Sequence, residues 1–216
     1  MARVVIKYVW ELPVRITHWV NALAIGVLCV TGLYIGFPAT LALTPAGYVM
    51  GWTRFIHFVA GYTFAISVAA RVWWAFVGNE YAGWRTFFPW REQAGREEMR
   101  RTFLFYVFIR NRPPQSVGHN AMANSFYVPL FALFLVEIVT GFALYSLRSP
   151  SPVIRLLFGW FLGICPSQYV RLVHHLTMYF ILGFTIQHIY SSWLMDIKLK
   201  GGLISGIFSG YKYMKE

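Results

Sequence analysis

Apolar residues in this chain do not form the one-sided stripe of a soluble helix or the alternation of a half-buried strand. They form long, nearly unbroken runs. Four of these, roughly Ile16 to Phe37, Trp52 to Val77, Phe126 to Leu147 and Leu172 to Met195, are long enough to cross a bilayer, because a spanning helix needs about 20 mostly apolar residues. Two further runs, Thr102 to Ile109 and Val153 to Ile164, are too short to span and read as interfacial helices. The pattern predicts an all-α membrane protein: a bundle of four transmembrane helices with short interfacial helices, one domain over residues 1–216. The connection over residues 78–125 is the longest loop, and "RNRPPQSVGHN" is its clearest turn signal. The first run is not expected to be a signal peptide. It is too long, lacks a small-residue cleavage site and carries Arg15 and His18 at its mouth.

Composition agrees with this class. Hydrophobic residues make up 57% of the chain and charged residues only 12%, about half the charge of a soluble domain. The placement of the 19 Lys and Arg residues adds an orientation. Arg3, Lys7 and Arg15 precede the first run. Arg85, Arg91, Arg96, Arg100, Arg101, Arg110 and Arg112 lie in the long loop, and Lys198, Lys200, Lys212 and Lys215 follow the fourth run. Only Arg54, Arg148, Arg155 and Arg171 fall on the other side, and Arg71 lies within the second run. The positive-inside rule therefore predicts cytoplasmic N- and C-termini, and a cytoplasmic loop between the second and third runs, in a multi-pass membrane protein. The net charge of +11 is read as this topology signal plus attraction to anionic lipid. Nucleic-acid binding is excluded for want of a soluble basic domain. Cys29 and Cys165 are far apart and no C-x-x-C-H occurs, so neither c-type haem attachment nor iron–sulfur spacing is expected.

Against this apolar background the histidines stand out, because ionisable groups inside a membrane are costly and by default functional. His18 opens the first run, and His57 lies about two turns into the second. His174 opens the fourth and His188 lies near its end. By depth they form two pairs, His57 with His174 toward the outer side and His18 with His188 toward the cytoplasm. Two such pairs suit two stacked haems, each with two axial imidazoles. His174 and His188 are 14 residues apart, which on a helix is about 21 Å of rise and only about 40° of rotation. His175 is turned about 100° from His174 and is left off the ligand list, as a polar residue at the outer interface. With both axial positions filled, no open site remains for oxygen, and the chemistry is one-electron transfer.

The same interval of 14 relates His18 to Gly32 and His57 to Arg71. Gly32 and Gly61 read either as clearance for a macrocycle or as ordinary small-residue helix packing. Arg71 reads as a propionate partner or as a snorkelling side chain. Glu137, in the middle of the third run, is a proton-relay group or a protonated carboxyl bonded to a neighbouring helix. "GHN", Gly118 to Asn120, reads as a helix-capping loop or as donors to a quinone carbonyl.

Several stretches carry a family resemblance: "YVWELPVRITHWVNALAI" at Tyr8 to Ile25, "TGLYIG" at Thr31 to Gly36, "RFIHFVAGY" at Arg54 to Tyr62 and "RVWWAFVGNEYAGW" at Arg71 to Trp84. Others are "VGHNAMA" at Val117 to Ala123, "TGFALYS" at Thr140 to Ser146, "VRLVHHLTMYF" at Val170 to Phe180 and "LISGIFSGYKY" at Leu203 to Tyr213. The chain resembles, nearly end to end, the b-type cytochrome subunit of membrane-bound nickel–iron uptake hydrogenases. The resemblance implies two haem b held by His18, His57, His174 and His188. It implies a large nickel–iron and a small iron–sulfur partner subunit docked outside, and electron transfer from H₂ to membrane quinone, with no hydrogen chemistry in this chain. From a related formate dehydrogenase cytochrome it points to His119, Asn120 and Gln187 around the quinone. The rival readings are a cytochrome b subunit of another quinone-linked complex such as formate dehydrogenase, a mainly structural membrane anchor, and a free-standing cytochrome b acting on a small oxidant.

Overall fold

A computed structural model describes residues 4–38 and 48–215, so Arg3 of the charge count lies outside the described residues. The chain opens with a short strand, β1 (Val4–Tyr8), and enters α1 (Leu12–Gly36) and α2 (Val49–Val77). Two short 3-10 turns lead to α3 (Gln93–Tyr106), followed by α4 (Ala121–Ser125) and α5 (Tyr127–Ser146). Then come α6 (Pro152–Phe158), α7 (Phe161–Ile164), α8 (Ser167–Leu199), α9 (Leu203–Ser209) and a closing strand, β2 (Tyr211–Lys215).

Among the described residues, three helical stretches are long and apolar enough to cross a membrane by length and composition: Leu12–Gly36, Val49–Val77 and Ala121–Ser146. At 33 residues α8 is longer than any of them, but His174, His175, Gln187 and His188 dilute its apolar character. The short run Thr102 to Ile109 becomes the last turns of α3 and a left-handed exit at Phe108 (φ 63°). The run Val153 to Ile164 is split into α6 and α7, and its Val153, Leu156, Leu157 and Ile164 are exposed.

The all-α expectation misses one element. β1 and β2 pair antiparallel, from Val4 opposite Lys215 to Tyr8 opposite Tyr211. The two tyrosine rings lie 5.1 Å apart, a cross-strand pair of the kind that stabilises small sheets. Lys212 is buried, and its Nζ donates to the carbonyls of Gly118 (2.9 Å) and Ser116 (3.3 Å). Burial pushes its pKa down to about 8, with Asp196 pulling the other way.

The chain packs as two compact units, one of Met1–His18, Ala70–Phe131 and Phe184–Glu216, the other of Trp19–Ala69 and Ala132–Gly183. The first has its core around Val9, Trp10, Val14 and Ala82, with Trp74, Tyr81, Val117 and Ile207 against it. Glu11 and Asn79 organise this core. The Glu11 carboxylate accepts from Trp74 Nε1 (2.9 Å) and the Asn79 amide (2.8 Å). Asn79 donates through Nδ2 to the Val9 carbonyl (2.9 Å), while its Oδ1 accepts from the amides of Tyr81 (3.2 Å) and Ala82 (3.0 Å). An Asx-type turn thus stops α2 and ties it to the N-terminal segment, which explains the "GNEYA" stretch structurally. In the second unit Phe64 packs edge-on against Phe134 at 5.0 Å, and both rings are buried.

Candidate haem sites

Each unit holds one pair of the predicted histidines. In the second, α2 brings His57 to His174 of α8, with ring centres 6.5 Å apart. In the first, His18 of α1 faces His188 of α8 with ring centres 6.2 Å apart. Two metal–imidazole bonds of about 2.0 Å, plus roughly 1.1 Å from each nitrogen to its ring centre, put the rings about 6.2 Å apart around one metal. Both separations fit axial ligation. The 6.3 Å between His174 and His175 has no such meaning, because neighbours on one helix point about 100° apart.

The His57–His174 pair sits against two Thr-Gly dipeptides. Thr31 Oγ1 lies 2.8 Å from His57 Nδ1 and donates to the Val27 carbonyl at 2.6 Å. Thr140 Oγ1 lies 3.0 Å from His174 Nδ1 and donates to the Val136 carbonyl, also at 2.6 Å. The next residue in each case is a glycine that meets the same ring. A Cβ on Gly32 would stand 3.4 Å from His57 Cε1, and one on Gly141 3.1 Å from His174 Cε1. What Gly32 clears among protein atoms is therefore a histidine ring. Sequence reasoning missed Thr31, Thr140 and Gly141 as site residues; the one available signal was the repeated Thr-Gly pair in two otherwise apolar runs. A Cβ at Gly61 would meet no protein atom within 4 Å, which leaves that position open.

Glu137 belongs to the same site. Its Oε1 lies 3.3 Å from His174 Nδ1, so its partner on a neighbouring helix is a predicted ligand. His175 turns away. Its Nδ1 lies 2.7 Å from the Arg171 carbonyl, to which it donates. Its Nε2 faces Gly36, where a Cβ would stand only 2.8 Å off.

The His18–His188 pair has different surroundings. Phe184, one turn earlier on α8, stacks on His188 at 5.8 Å and 13°. Arg71 is buried at 6% exposure. Its guanidinium lies 5.7 Å from both the Phe87 and Tyr127 ring centres, and Nη2 donates to the Ala82 carbonyl at 3.2 Å. Nη1 is buried without a hydrogen-bond partner among the described residues. A buried cation with an unused donor suits an anionic group of a bound molecule.

His119 packs between Trp10 (4.6 Å) and Tyr127 (5.7 Å). Removal from water pushes its pKa down to about 3, helped first by the Lys212 ammonium and then by His188, His18 and Arg71. It is neutral at ordinary pH and lies within electrostatic reach of both histidines of this pair. Asn120 caps α4, its Oδ1 accepting from the Ala123 amide at 2.8 Å, so the capping role is real. The loop is held further by Glu98, whose carboxylate accepts from the Ser116 hydroxyl and the Ala121 amide. Gln187 is exposed on α8 beside His188.

Residues 9–210 match the family model described as prokaryotic cytochrome b561. The chain belongs to the prokaryotic cytochrome b561 family. Over 216 residues it is 39% identical to a probable Ni/Fe-hydrogenase B-type cytochrome subunit of Cupriavidus necator, covering 97% of this chain and 88% of that protein. Identity to the probable Ni/Fe-hydrogenase B-type cytochrome subunit of Bradyrhizobium diazoefficiens is 39% over 97% of this chain and 87% of the relative. For the probable Ni/Fe-hydrogenase 1 B-type cytochrome subunit of Escherichia coli K12 it is 37%, over 98% and 93%. A b-type cytochrome carries haem b, and the residues present fit it: two imidazole pairs at the separation an axial metal sets, and a buried arginine with an unused donor.

Proposed function

We propose that this b561-family chain is the di-haem membrane subunit of a nickel–iron hydrogenase. It would pass electrons from the partner's iron–sulfur subunit to membrane quinone. The observation that carries the reading is the pair of imidazole separations, 6.5 Å for His57–His174 and 6.2 Å for His18–His188. Haem b supplies one-electron transfer with no open coordination position. The four histidines would hold the iron, Arg71 would offer Nη1 to a propionate, and Gly32 and Gly61 would leave room beside the outer site. The hydrogenase assignment rests on the relatives' names and on similarity over nearly the whole chain.

The reading includes four membrane crossings. β1 and β2 are paired, so both ends of the described chain lie on one side, and an odd number of crossings cannot achieve that. With three apolar helices crossing, α8 makes the fourth. The charge distribution then places the termini and the loop over residues 78–125 in the cytoplasm, in a bacterial inner membrane. His18–His188 is thereby the inner pair. His119, neutral and beside that pair, is the best-placed donor to a quinone carbonyl. Asn120 and Gln187 complete the proposed pocket less directly, since Asn120's oxygen is occupied by its cap.

The test is composition. The purified complex should contain two b haems per copy of this chain by pyridine haemochrome, together with a nickel-containing subunit pair. A haem-free chain, or a nickel-free partner, would sink the reading.

A further inference from the structure

The two threonines at the His57–His174 pair have one hydroxyl proton each. In both, that proton is committed to the helix's own backbone, at 2.6 Å to the carbonyl four residues back. Such back-bonding is common for threonine in helices, and its consequence here is specific. An oxygen that has already donated can only accept, so the proton in the Thr31–His57 and Thr140–His174 bonds belongs to the imidazole. A neutral imidazole protonated at Nδ1 has its lone pair on Nε2.

We propose that Thr31 and Thr140 are positioning residues that hold the Nδ1 proton of His57 and His174, so that each Nε2 is presented to the haem iron. The proposal rests on reading these histidines as an axial pair. A second feature points the same way. Each threonine is followed by the glycine that seats the ring, Gly32 under His57 and Gly141 under His174. Each dipeptide thus fixes one imidazole twice, by a hydrogen bond at Nδ1 and by space at Cε1.

Removing the acceptor has two effects. A buried N–H is left without a partner, which is costly, and the outer partners of metal-bound histidines typically carry 10- to 100-fold in affinity. The ligand also becomes a poorer electron donor to the ferric state, so the haem potential rises. The experiment uses the intact complex with Thr31→Val, Thr140→Val, Thr31→Ser and Thr140→Ser. Valine keeps the shape and removes the oxygen; serine keeps the oxygen.

Haem content and a redox titration resolving the two haems are the readouts. Each valine variant should bind the His57–His174 haem 10- to 100-fold more weakly, or retain it at a raised midpoint potential, while the other haem stays unmoved. The serine variants should match the unaltered protein. Valine variants with both potentials unchanged overturn the proposal. So do serine variants that behave like valine, or loss of both haems together. An unaltered complex with fewer than two haems, or His57→Ala retaining both, overturns the axial-pair reading instead and is seen without any threonine variant.

Discussion

The two histidine pairs are held in different ways. At His57–His174 the supports are short and come from the helices themselves: two threonine hydroxyls, two glycines and one carboxyl. At His18–His188 the supports are an arginine from α2 and a loop. Arg71 lies beside the stacked Phe87 and Tyr127 rings, and His119 is wedged against Trp10 in a loop that Glu98 and Lys212 tie down. On the proposed reading the first arrangement would fix ligands and little else, as a relay needs. The second gathers a buried cation, a neutral imidazole and a loop, which would suit a site that also handles a substrate. The difference teaches that equal ring spacing does not imply equal surroundings.

The largest expected effect separates the pairs outright. His57→Ala or His174→Ala should reduce haem content from two to one per chain and leave the spectrum of the other haem in place. His18→Ala or His188→Ala should do the converse. His175→Ala should keep both, because its Nε2 is turned against Gly36. A haem lost from the His175 variant would break the helical-face argument.

Arg71 tests the second arrangement. A fixed charge several ångströms from a redox centre contributes roughly 2 kcal/mol at an effective dielectric of about 20. Arg71→Leu should therefore lower the midpoint potential of the His18–His188 haem and leave the other unchanged. Arg71→Lys should shift it less, since it keeps the charge but loses the planar fork that donates to the Ala82 carbonyl. Equal shifts of both potentials would remove Arg71 from this site.

The glycines sharpen the comparison at smaller scale. Replacing a helical glycine by alanine gains about 1 kcal/mol of helix propensity, while overpacking costs about 1–3 kcal/mol. At Gly141 the new methyl would stand 3.1 Å from His174, so overpacking wins. At Gly32 the 3.4 Å contact with His57 is close to ordinary and the terms nearly cancel. Gly141→Ala should lower the temperature at which the complex releases haem; Gly32→Ala should move it little. The reverse order would show that the seats are not what the contacts indicate.

Much of this was legible in the chain. Imidazoles in lipid-like runs are conspicuous because their desolvation is expensive, and helical spacing separates His174 and His188 from His175. Thr31 and Thr140 were barely legible as site residues, because a threonine in an apolar helix is satisfied by its own backbone and only the repeated Thr-Gly pair marks them. The β1–β2 pair was also hidden. "VVIKY" and "YKYMK" are only five residues each and stand at opposite ends of the sequence, so their pairing is a tertiary event with no local signal. The same histidines that revealed the sites weakened the apolar character of α8, the helix that carries two of them and His175 besides.

The smallest expected effect concerns that sheet and the loop beside the His18–His188 pair. Lys212 has its pKa lowered to about 8 by burial, against about 10.4 in an unfolded chain. Between those values the unfolded state binds the proton and the folded state does not, so stability rises with pH across the window and levels off above it. The deprotonated amine still has two hydrogens for the Ser116 and Gly118 carbonyls, so the loop anchor survives the titration. Amide exchange corrected for intrinsic rate should show the β1–β2 amides better protected at pH 10 than at pH 8. Lys212→Met should abolish that slope and loosen the loop carrying His119. A slope that persists in the variant would assign the titration to another group and leave Lys212 as a plain tether.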